Sequence, residues 1–271
     1  MAAPTPRKAT APSGKTLTER PSAGLRSGLQ LPSNGQFHDG SRLPGLNADP
    51  FAVHDATGEP WRYICSLECR SGRDKWSATG FLAAPTVVVT AAHAFFPNDR
   101  LRATSVRVQA GRTGPNEWLG EATVAEPQFG YLPNSTSCGQ DIGCLLLAEP
   151  FPGVDGHLEL WRWPKSTLEV GWRVNVCGYA DEAGGEVASH WDGELVAVEN
   201  DTILYYMNTL RGQSGSPIWV TFEDRRRYVI GVHAYPADDS CITGGRKANG
   251  GSIITAEVLG NLLAPHGHSV A

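Results

Sequence analysis

Short apolar runs separated by Gly, Pro and Asn recur along the chain from about residue 60 onward. The runs are rich in Val, Ile, Thr and aromatic residues, which fit the pleated surface of a sheet. Runs of this length and spacing, with turn residues between them, predict a sandwich or barrel rather than βαβ units. The predicted strands cover residues 61–67, 77–83, 86–90, 105–109, 122–125, 142–147, 172–177, 193–198, 202–206, 218–222, 228–233 and 252–255.

These strands fall into two groups of about six, divided near Pro150. The grouping predicts an all-β protein of two six-stranded antiparallel barrels, one in residues 49–150 and one in residues 151–271. A short C-terminal helix is predicted over 256–263, because Leu259, Leu262 and Leu263 share one helical face. Residues 1–48 are rich in Pro, Gly, Ser and Thr, so we expect a disordered N-terminal extension or propeptide there.

Length and composition narrow the function classes. The 271 residues allow one large or two small domains. A net charge of −5 with no extended Lys/Arg patch argues against a nucleic-acid partner. No apolar run approaches the roughly 20 residues that span a bilayer, and residues 1–60 contain no sustained apolar block like that of a signal peptide.

Six cysteines leave 15 pairings open if all were bridged. The spacings between neighbouring cysteines, with no His close by, do not resemble a zinc site. Two of them, Cys144 and Cys177, lie inside apolar strand-like runs, where a buried free thiol is common. We therefore expect mostly free or structural thiols. The cysteines are Cys65, Cys69, Cys138, Cys144, Cys177 and Cys241.

The stretch from Gly212 to Pro217 contains the first candidate for chemistry. Ser214 stands between Gly212 and Gly215, in a turn between two β-prone runs. Glycines allow backbone conformations that a Cβ would block, so amides near Ser214 could converge on one point beside its hydroxyl. The alternative is an ordinary Gly/Ser-rich hairpin turn.

Two further residues lie at the edges of β-prone runs. His93 follows the apolar run of Val87 to Val89, and Asp141 opens the run of 142–147. Each has an ordinary structural alternative, since a lone His is commonly a core residue and an Asp before a strand is commonly a turn or cap residue. Together with Ser214 they give the chain order His, Asp, Ser.

Three segments in that order resemble the signatures of chymotrypsin-fold serine peptidases. They are Thr90-Ala-Ala-His93, Asp141-Ile-Gly-Cys-Leu-Leu and Gly212-Gln-Ser214-Gly-Ser-Pro217. The last resembles the form found in the bacterial glutamyl endopeptidase branch. Val174-Asn-Val-Cys-Gly-Tyr179, Ile230-Gly-Val-His233 and Asn249-Gly-Gly-Ser-Ile-Ile resemble further strands of that family. The resemblance spans roughly residues 49–263.

The resemblance implies a serine endopeptidase that acts on protein or peptide substrates. Ser214 would be the nucleophile, His93 its general base and acid, and Asp141 the residue that orients the imidazole. The N–H groups of Gly212 and Ser214 would form the oxyanion hole. No metal and no organic cofactor is needed for this chemistry. The resemblance also favours a secreted protein, and we expect a monomer without membrane or nucleic-acid partners.

In glutamyl endopeptidases a His and a Thr or Ser contact the acidic side chain before the scissile bond. The matching residues are His233 and Thr209, with Ala234 and Tyr235 on the adjoining pocket wall. The resemblance therefore implies cleavage after Glu, and less well after Asp. The alternatives are a core His and a turn Thr, a peptidase of different specificity, and a catalytically silent binding module of the same fold.

Several residues depart from the family pattern. Pro236 lacks the N–H that could bind an extended substrate. The loop 238–247 is long and carries Cys241. Gln213 stands where trypsin-like enzymes carry an Asp that captures a new N-terminal amine, so that activation switch is not expected in its usual form.

Overall fold

The computed structural model describes residues 50–96, 102–124, 128–129, 141–181, 185–199, 201–207, 209–222, 224–235, 242–243 and 246–264. The predicted extension 1–48, Pro236, most of the loop 238–247, Cys138 and Cys241 therefore lie outside the described residues. Strands make up most of the regular structure of the described residues, which contain one α-helix. The all-β fold class predicted from the sequence is confirmed.

The N-terminal half forms one antiparallel sheet of seven strands, in the order β6-β5-β2-β3-β4-β8-β7. Its end strands, β6 and β7, are not paired with each other in the described part of the chain. Its strands are β2 (Ile64–Ser71), β3 (Asp74–Ala84), β4 (Val87–Thr90), β5 (Ser105–Ala110), β6 (Gly120–Val124), β7 (Gln128–Phe129) and β8 (Gly143–Leu146).

The C-terminal half closes into a barrel. Six strands form the ring β9-β10-β11-β16-β13-β12, which closes because β9 pairs with both β10 and β12. A seventh strand, β1, adds to the outer edge of β10. The strands are β1 (Phe51–Val53), β9 (Arg173–Tyr179), β10 (Ala188–Glu199), β11 (Thr202–Tyr206), β12 (Pro217–Thr221), β13 (Arg227–Tyr235) and β16 (Asn249–Ile253). A separate two-stranded ribbon joins β14 (Ile242–Thr243) to β15 (Arg246–Lys247).

Helices are few and short in the described part of the chain. The α-helix α1 spans Ala256–Leu263, as the sequence predicts, and its N-terminus is capped by the Thr255 hydroxyl, which accepts a hydrogen bond from the Val258 N–H at 3.1 Å. Single turns of 3₁₀ helix cover Trp61–Tyr63, Ala92–Phe95 and Lys165–Thr167. The first of these replaces the start of the predicted strand 61–67. No described helix is long and apolar enough to cross a membrane.

Each half has its own interior, and the two are joined by continuous packing. Trp161, Trp172, Trp191 and Tyr205 fill the closed barrel. The largest cluster fills the first sheet and continues onto Cys177 and Tyr179 of β9 and onto α1. Four cysteines, Cys65, Cys69, Cys144 and Cys177, are buried free thiols, as predicted for most of the set. A boundary between the halves near residue 150 stays a prediction.

Candidate active site

The register of two strands brings His93 and Asp141 together. Strand β4 pairs with β8 so that Thr90 lies opposite Gly143. His93 follows Thr90 on a 3₁₀ turn, and Asp141 lies two residues before Gly143, so both side chains lie at the same end of the pair. The apolar residues of β4 are fully buried, which fixes this end of the sheet firmly.

Asp141 holds His93 by two hydrogen bonds. One carboxylate oxygen accepts from the backbone N–H of His93 at 2.8 Å, and the other lies 2.5 Å from Nδ1 of the ring. The Asp141 side chain is only 3% exposed, whereas that of His93 is 35% exposed. The backbone N–H of Asp141 donates to the Ser252 hydroxyl at 3.1 Å, which ties the pair to β16 of the closed barrel.

The pair changes the basicity of the imidazole. Burial favours the neutral ring, but the hydrogen bond and the negative charge of Asp141 outweigh it and raise the pKa of His93 above its ordinary value. Because Nδ1 faces the carboxylate, a neutral ring with its proton on Nδ1 presents the lone pair of Nε2 to the exposed side. That geometry suits a proton acceptor.

The loop that carries Ser214 packs against the His93 segment. The Ser214 carbonyl accepts a hydrogen bond from the Thr79 N–H at 2.9 Å. Gly215 has φ +91°, and a Cβ there would lie 2.0 Å from the Thr79 carbonyl oxygen and 2.1 Å from the Thr90 hydroxyl. Only glycine allows so close an approach. Ser214 thus lies beside the end of β4, from which His93 follows.

Two N–H groups of this loop have no acceptor among the residues that the structure describes. Among the described residues, neither the Gly212 nor the Ser214 N–H donates a hydrogen bond. No hydrogen bond joins the Ser214 hydroxyl to His93 within that same set. Gly212 has φ +90°, and a Cβ there would lie 2.7 Å from the Tyr179 carbonyl oxygen. The loop can therefore offer two free donors next to a serine.

Gln213 takes a different partner from the Asp of trypsin-like enzymes. Its side chain is fully buried, and its Oε1 accepts a hydrogen bond from the Leu210 N–H at 2.7 Å. The turn is also closed by the backbone, since the Gln213 N–H donates to the Leu210 carbonyl at 3.3 Å. The amide side chain of Gln213 thus stabilises the loop by an internal hydrogen bond.

His233 lies directly beside the Ser214 loop. Its carbonyl accepts from the Gly215 N–H at 2.7 Å, and its N–H donates to the Ser216 carbonyl at 2.9 Å. Its ring is buried, with Nδ1 at 2.5 Å from the Tyr205 hydroxyl. Burial and the charge of His93 lower the pKa of His233 to about 3, against a smaller opposing effect of a hydrogen bond to the Gly250 backbone.

The other predicted pocket residues are Thr209, Ala234 and Tyr235. The buried Thr209 hydroxyl donates to Oδ1 of Asn249 at 3.0 Å, and the amide group of Asn249 donates to the Met207 carbonyl. Ala234 is buried and stands at a register shift between β13 and β16, and Tyr235 is half-buried. The structure therefore places His233 and Ala234 beside the Ser214 loop, and it joins Thr209 to β16 through Asn249.

The low pKa of His233 predicts a loss of stability in acid. In the unfolded chain an ordinary imidazole takes up a proton near pH 6.5, whereas the folded ring stays neutral down to about pH 3. Between these values the unfolded state binds more protons, so the free energy of unfolding rises with pH and falls on acidification. The loss expected from this residue is about 5 kcal/mol across the window.

Urea unfolding followed by Trp fluorescence at several pH values between 3.5 and 7 measures this slope. A His233→Gln variant should show a shallower dependence, because its side chain does not titrate. Equal slopes for the variant and the original chain would contradict the assignment.

Three residues of this region carry no sequence signal of their own. Their hydrogen-bond partners lie far away in the sequence: 133 positions for Thr79, 28 for Tyr205 and 40 for Asn249. Asn249 stands in a segment that resembles a family strand, and this is the one hint that the sequence offers. Within the described residues, no group of three or more His, Cys, Asp or Glu side chains could hold a metal ion.

Comparison with known proteins agrees with this architecture. A glutamyl endopeptidase of Bacillus licheniformis is 29% identical over 219 residues, which are 79% of this chain and 66% of that protein. A Bacillus subtilis protein named extracellular metalloprotease is 26% identical over 218 residues, which are 78% of this chain and 65% of that protein. The chain thus spans slightly less than two thirds of the length of either relative.

A solved structure of a Glu endopeptidase shares the fold. It has a TM-score of 0.63 and 20% identity, and the match covers 81% of this chain and 97% of that one. The family model described as Trypsin matches residues 51–251, well over half of the sequence. By this match, and with the two packed β-structures that carry His93, Asp141 and Ser214, the chain belongs to the trypsin family.

Proposed function

We propose that the chain is a serine endopeptidase with Ser214 as nucleophile, His93 as general base and Asp141 as the residue that orients His93. The observation that carries this proposal is the double hydrogen bond from His93 to the buried Asp141 carboxylate, at 2.8 and 2.5 Å. It turns Nε2 of the ring toward the exposed side as a proton acceptor. A serine hydroxyl at neutral pH needs such a base to act as a nucleophile.

The reaction then follows from these groups. Ser214 Oγ bonds to the scissile carbonyl carbon while its proton passes to Nε2 of His93. The carbonyl oxygen becomes an oxyanion, which the N–H groups of Gly212 and Ser214 stabilise. The C–N bond breaks as His93 returns the proton to the leaving amine. Water, activated by His93, then hydrolyses the acyl ester and regenerates the Ser214 hydroxyl.

We further propose that the enzyme prefers Glu, and less strongly Asp, before the scissile bond. His233 supports this preference because reciprocal backbone hydrogen bonds hold it against the residues that follow Ser214. Burial raises the pKa of Tyr205 well above its ordinary value, so its hydroxyl stays protonated, and in this proposal the hydroxyl donates a hydrogen bond to Nδ1 of His233. The neutral ring then carries its own proton on Nε2, and a substrate carboxylate would accept this proton in place of the Gly250 backbone.

Thr209 does not contribute to substrate binding as a direct hydrogen-bond donor. Its hydroxyl proton is committed to Oδ1 of Asn249. We propose that Thr209 shapes the pocket and offers its hydroxyl to the substrate only by rotating, with Ala234 and Tyr235 as the neighbouring wall. Charge recognition then depends mainly on His233.

Protein or peptide chains are the partners that follow from this function. One relative is named as extracellular, which supports secretion of this protein as well. The monomeric state and the lack of nucleic-acid or membrane partners stay predictions from the sequence.

A peptide series that differs only in the residue before the scissile bond tests both proposals. We expect kcat/KM for Glu to exceed that for Gln by about 100-fold, because a charged hydrogen-bonded contact contributes about 1.5–3 kcal/mol. His233→Ala should remove most of this ratio. His190→Gln, which changes a buried histidine elsewhere in the same barrel, should retain it.

The contrary outcomes are distinct. Cleavage that favours Lys, Arg or Phe would reject the acidic preference and leave the peptidase intact. No cleavage, together with no labelling of Ser214 by a phosphonofluoridate, would favour the catalytically silent binding module.

A further inference from the structure

Thr79 joins four segments of the chain at the seam between the two sheets. It lies on β3 and is fully buried. Its hydroxyl donates to the Gly212 carbonyl at 3.0 Å and accepts from the Tyr179 N–H at 2.9 Å. Its own N–H donates to the Ser214 carbonyl, and its carbonyl accepts from the Thr90 hydroxyl at 2.6 Å. All of the hydrogen-bonding groups of Thr79 thus hold the nucleophile loop or its supports.

These bonds complete a series that fixes the peptide units around Ser214. The carbonyls of four consecutive residues, 211–214, each accept a hydrogen bond within the described structure. That of Arg211 accepts from the Asp181 N–H at 2.9 Å, and that of Gln213 accepts from the N–H and hydroxyl of Ser216. Thr79 supplies the other two bonds, to Gly212 and Ser214.

Fixing the carbonyls also fixes the N–H groups. In a trans peptide the C=O and the following N–H point in opposite directions. The Arg211 carbonyl therefore sets the direction of the Gly212 N–H, and the Gln213 carbonyl sets that of Ser214. The peptide between these two units is the one whose carbonyl the Thr79 hydroxyl holds. Its rotation would change ψ of Gly212 and φ of Gln213, the backbone angles that set the orientation of the two N–H groups relative to each other.

The surroundings leave the Thr79 hydroxyl little freedom. A Cβ at Gly178 would lie 2.9 Å from Thr79 Oγ1, so the backbone of β9 packs closely against one side of the hydroxyl. Because the Tyr179 N–H occupies one lone pair of the hydroxyl, the hydroxyl proton is directed to Gly212. A hydroxyl held in this way can keep the Gly212 carbonyl in one orientation.

We propose that Thr79 is a positioning residue for the oxyanion hole, acting through the Gly212–Gln213 peptide. The inference rests on the proposed function, because an oxyanion hole has meaning only if Ser214 forms a tetrahedral intermediate. Thr79 does not touch the substrate. Its hydroxyl keeps two backbone N–H groups aligned before the substrate arrives, so it stabilises the transition state more than the bound substrate.

The test compares Thr79→Val, which keeps the shape and removes the hydroxyl, with Thr79→Ser, which keeps the hydroxyl. Removing an oxyanion donor outright costs about 100- to 1000-fold in kcat, and misaligning the donors should cost less. We expect Thr79→Val to lower kcat about 10- to 100-fold with KM changed less than about threefold. Thr79→Ser should recover most of kcat.

A second readout separates positioning from general loss of structure. A peptide aldehyde forms a tetrahedral adduct with Ser214, whereas the product peptide binds without one. Thr79→Val should weaken the binding of the aldehyde by the same factor by which it lowers kcat. The affinity for the product peptide should stay unchanged. The control is Val106→Ala, a buried change on β5 away from the loop. It should lower Tm but leave kcat unchanged when kcat is calculated per active site, with active sites counted by titration with a phosphonofluoridate.

Each outcome decides the matter. A folded Thr79→Val variant with the kcat of the original enzyme overturns the inference, as does equal weakening of aldehyde and product. If Thr79→Val does not fold, Thr79→Cys takes its place, since a thiol of similar size is a weak donor. A drop in its kcat of about fivefold or more supports the inference, and an unchanged kcat overturns it. If the original enzyme neither cleaves peptides nor reacts with the phosphonofluoridate, the proposed function itself has failed.

Discussion

Replacing Ser214 by alanine is expected to lower kcat by about six orders of magnitude. The change removes one oxygen and leaves a methyl group, so the loop has no reason to move. Its geometry depends on the backbone bonds from Thr79 and on the close approach at Gly215, neither of which involves the Ser214 hydroxyl. A residual acceleration of about 10³- to 10⁴-fold over water should persist, because the oxyanion hole and the binding site remain.

The matched control is Ser189→Ala. Ser189 is a buried serine on β10 whose hydroxyl has no hydrogen-bond partner among the described residues, so its removal should leave kcat and Tm nearly unchanged. Single-turnover measurements at high enzyme concentration extend the range of detectable rates. A Ser214→Ala variant that retained even one hundredth of kcat would exclude Ser214 as the nucleophile.

The longer elements of the fold could be predicted because their signals are local. Helix α1 begins and ends at the predicted residues, and β11 matches its prediction at both ends. The strands that the sequence does not predict, β1, β7, β14 and β15, have two or three residues each, too few to establish a period.

One long strand was predicted too short for a different reason. Strand β10 begins at Ala188, five residues before the predicted start at 193. Its first part contains Ser189, His190 and Asp192, which indicate a loop when read alone. Ser189 and His190 are nevertheless buried, because β1 and β9 flank them on either side. Tertiary contacts override local propensity here.

The candidate site also has parts that the sequence could predict and parts that only the folded structure shows. His93, Asp141 and Ser214 could be selected from the sequence because each lies at the edge of a β-prone run, in a family-like order. The hydrogen bonds between His93 and Asp141 depend on the register of β4 with β8, and no local sequence pattern specifies this register. The roles of Thr79 and Tyr205 depend on contacts across the seam and across the barrel, so only the folded chain reveals them.

Replacing Asp141 by asparagine should lower kcat by about 10⁴-fold while the fold is kept. The amide oxygen can still accept from the His93 backbone N–H, but the amide nitrogen would then face Nδ1 and donate to it. Nδ1 would have to become an acceptor, so the proton of the neutral ring would move to Nε2. An imidazole in that tautomer cannot take the proton of Ser214. The ¹⁵N chemical shifts of the His93 ring would report this exchange directly.

The same variant should change the pH dependence in a defined direction. Catalysis requires a neutral His93, and Asp141 raises the pKa of that ring, so the acidic limb of kcat/KM should lie above about pH 6.5 in the original enzyme. Without the carboxylate, burial of the ring remains and favours its neutral form, so the limb of the residual activity should move to lower pH. Asp192→Asn, which disrupts a surface ion pair with Arg173, should change neither kcat nor the limb. An Asp141→Asn enzyme with an unshifted acidic limb would mean that another group sets the basicity of His93, and an unchanged kcat would contradict the orienting role assigned to Asp141.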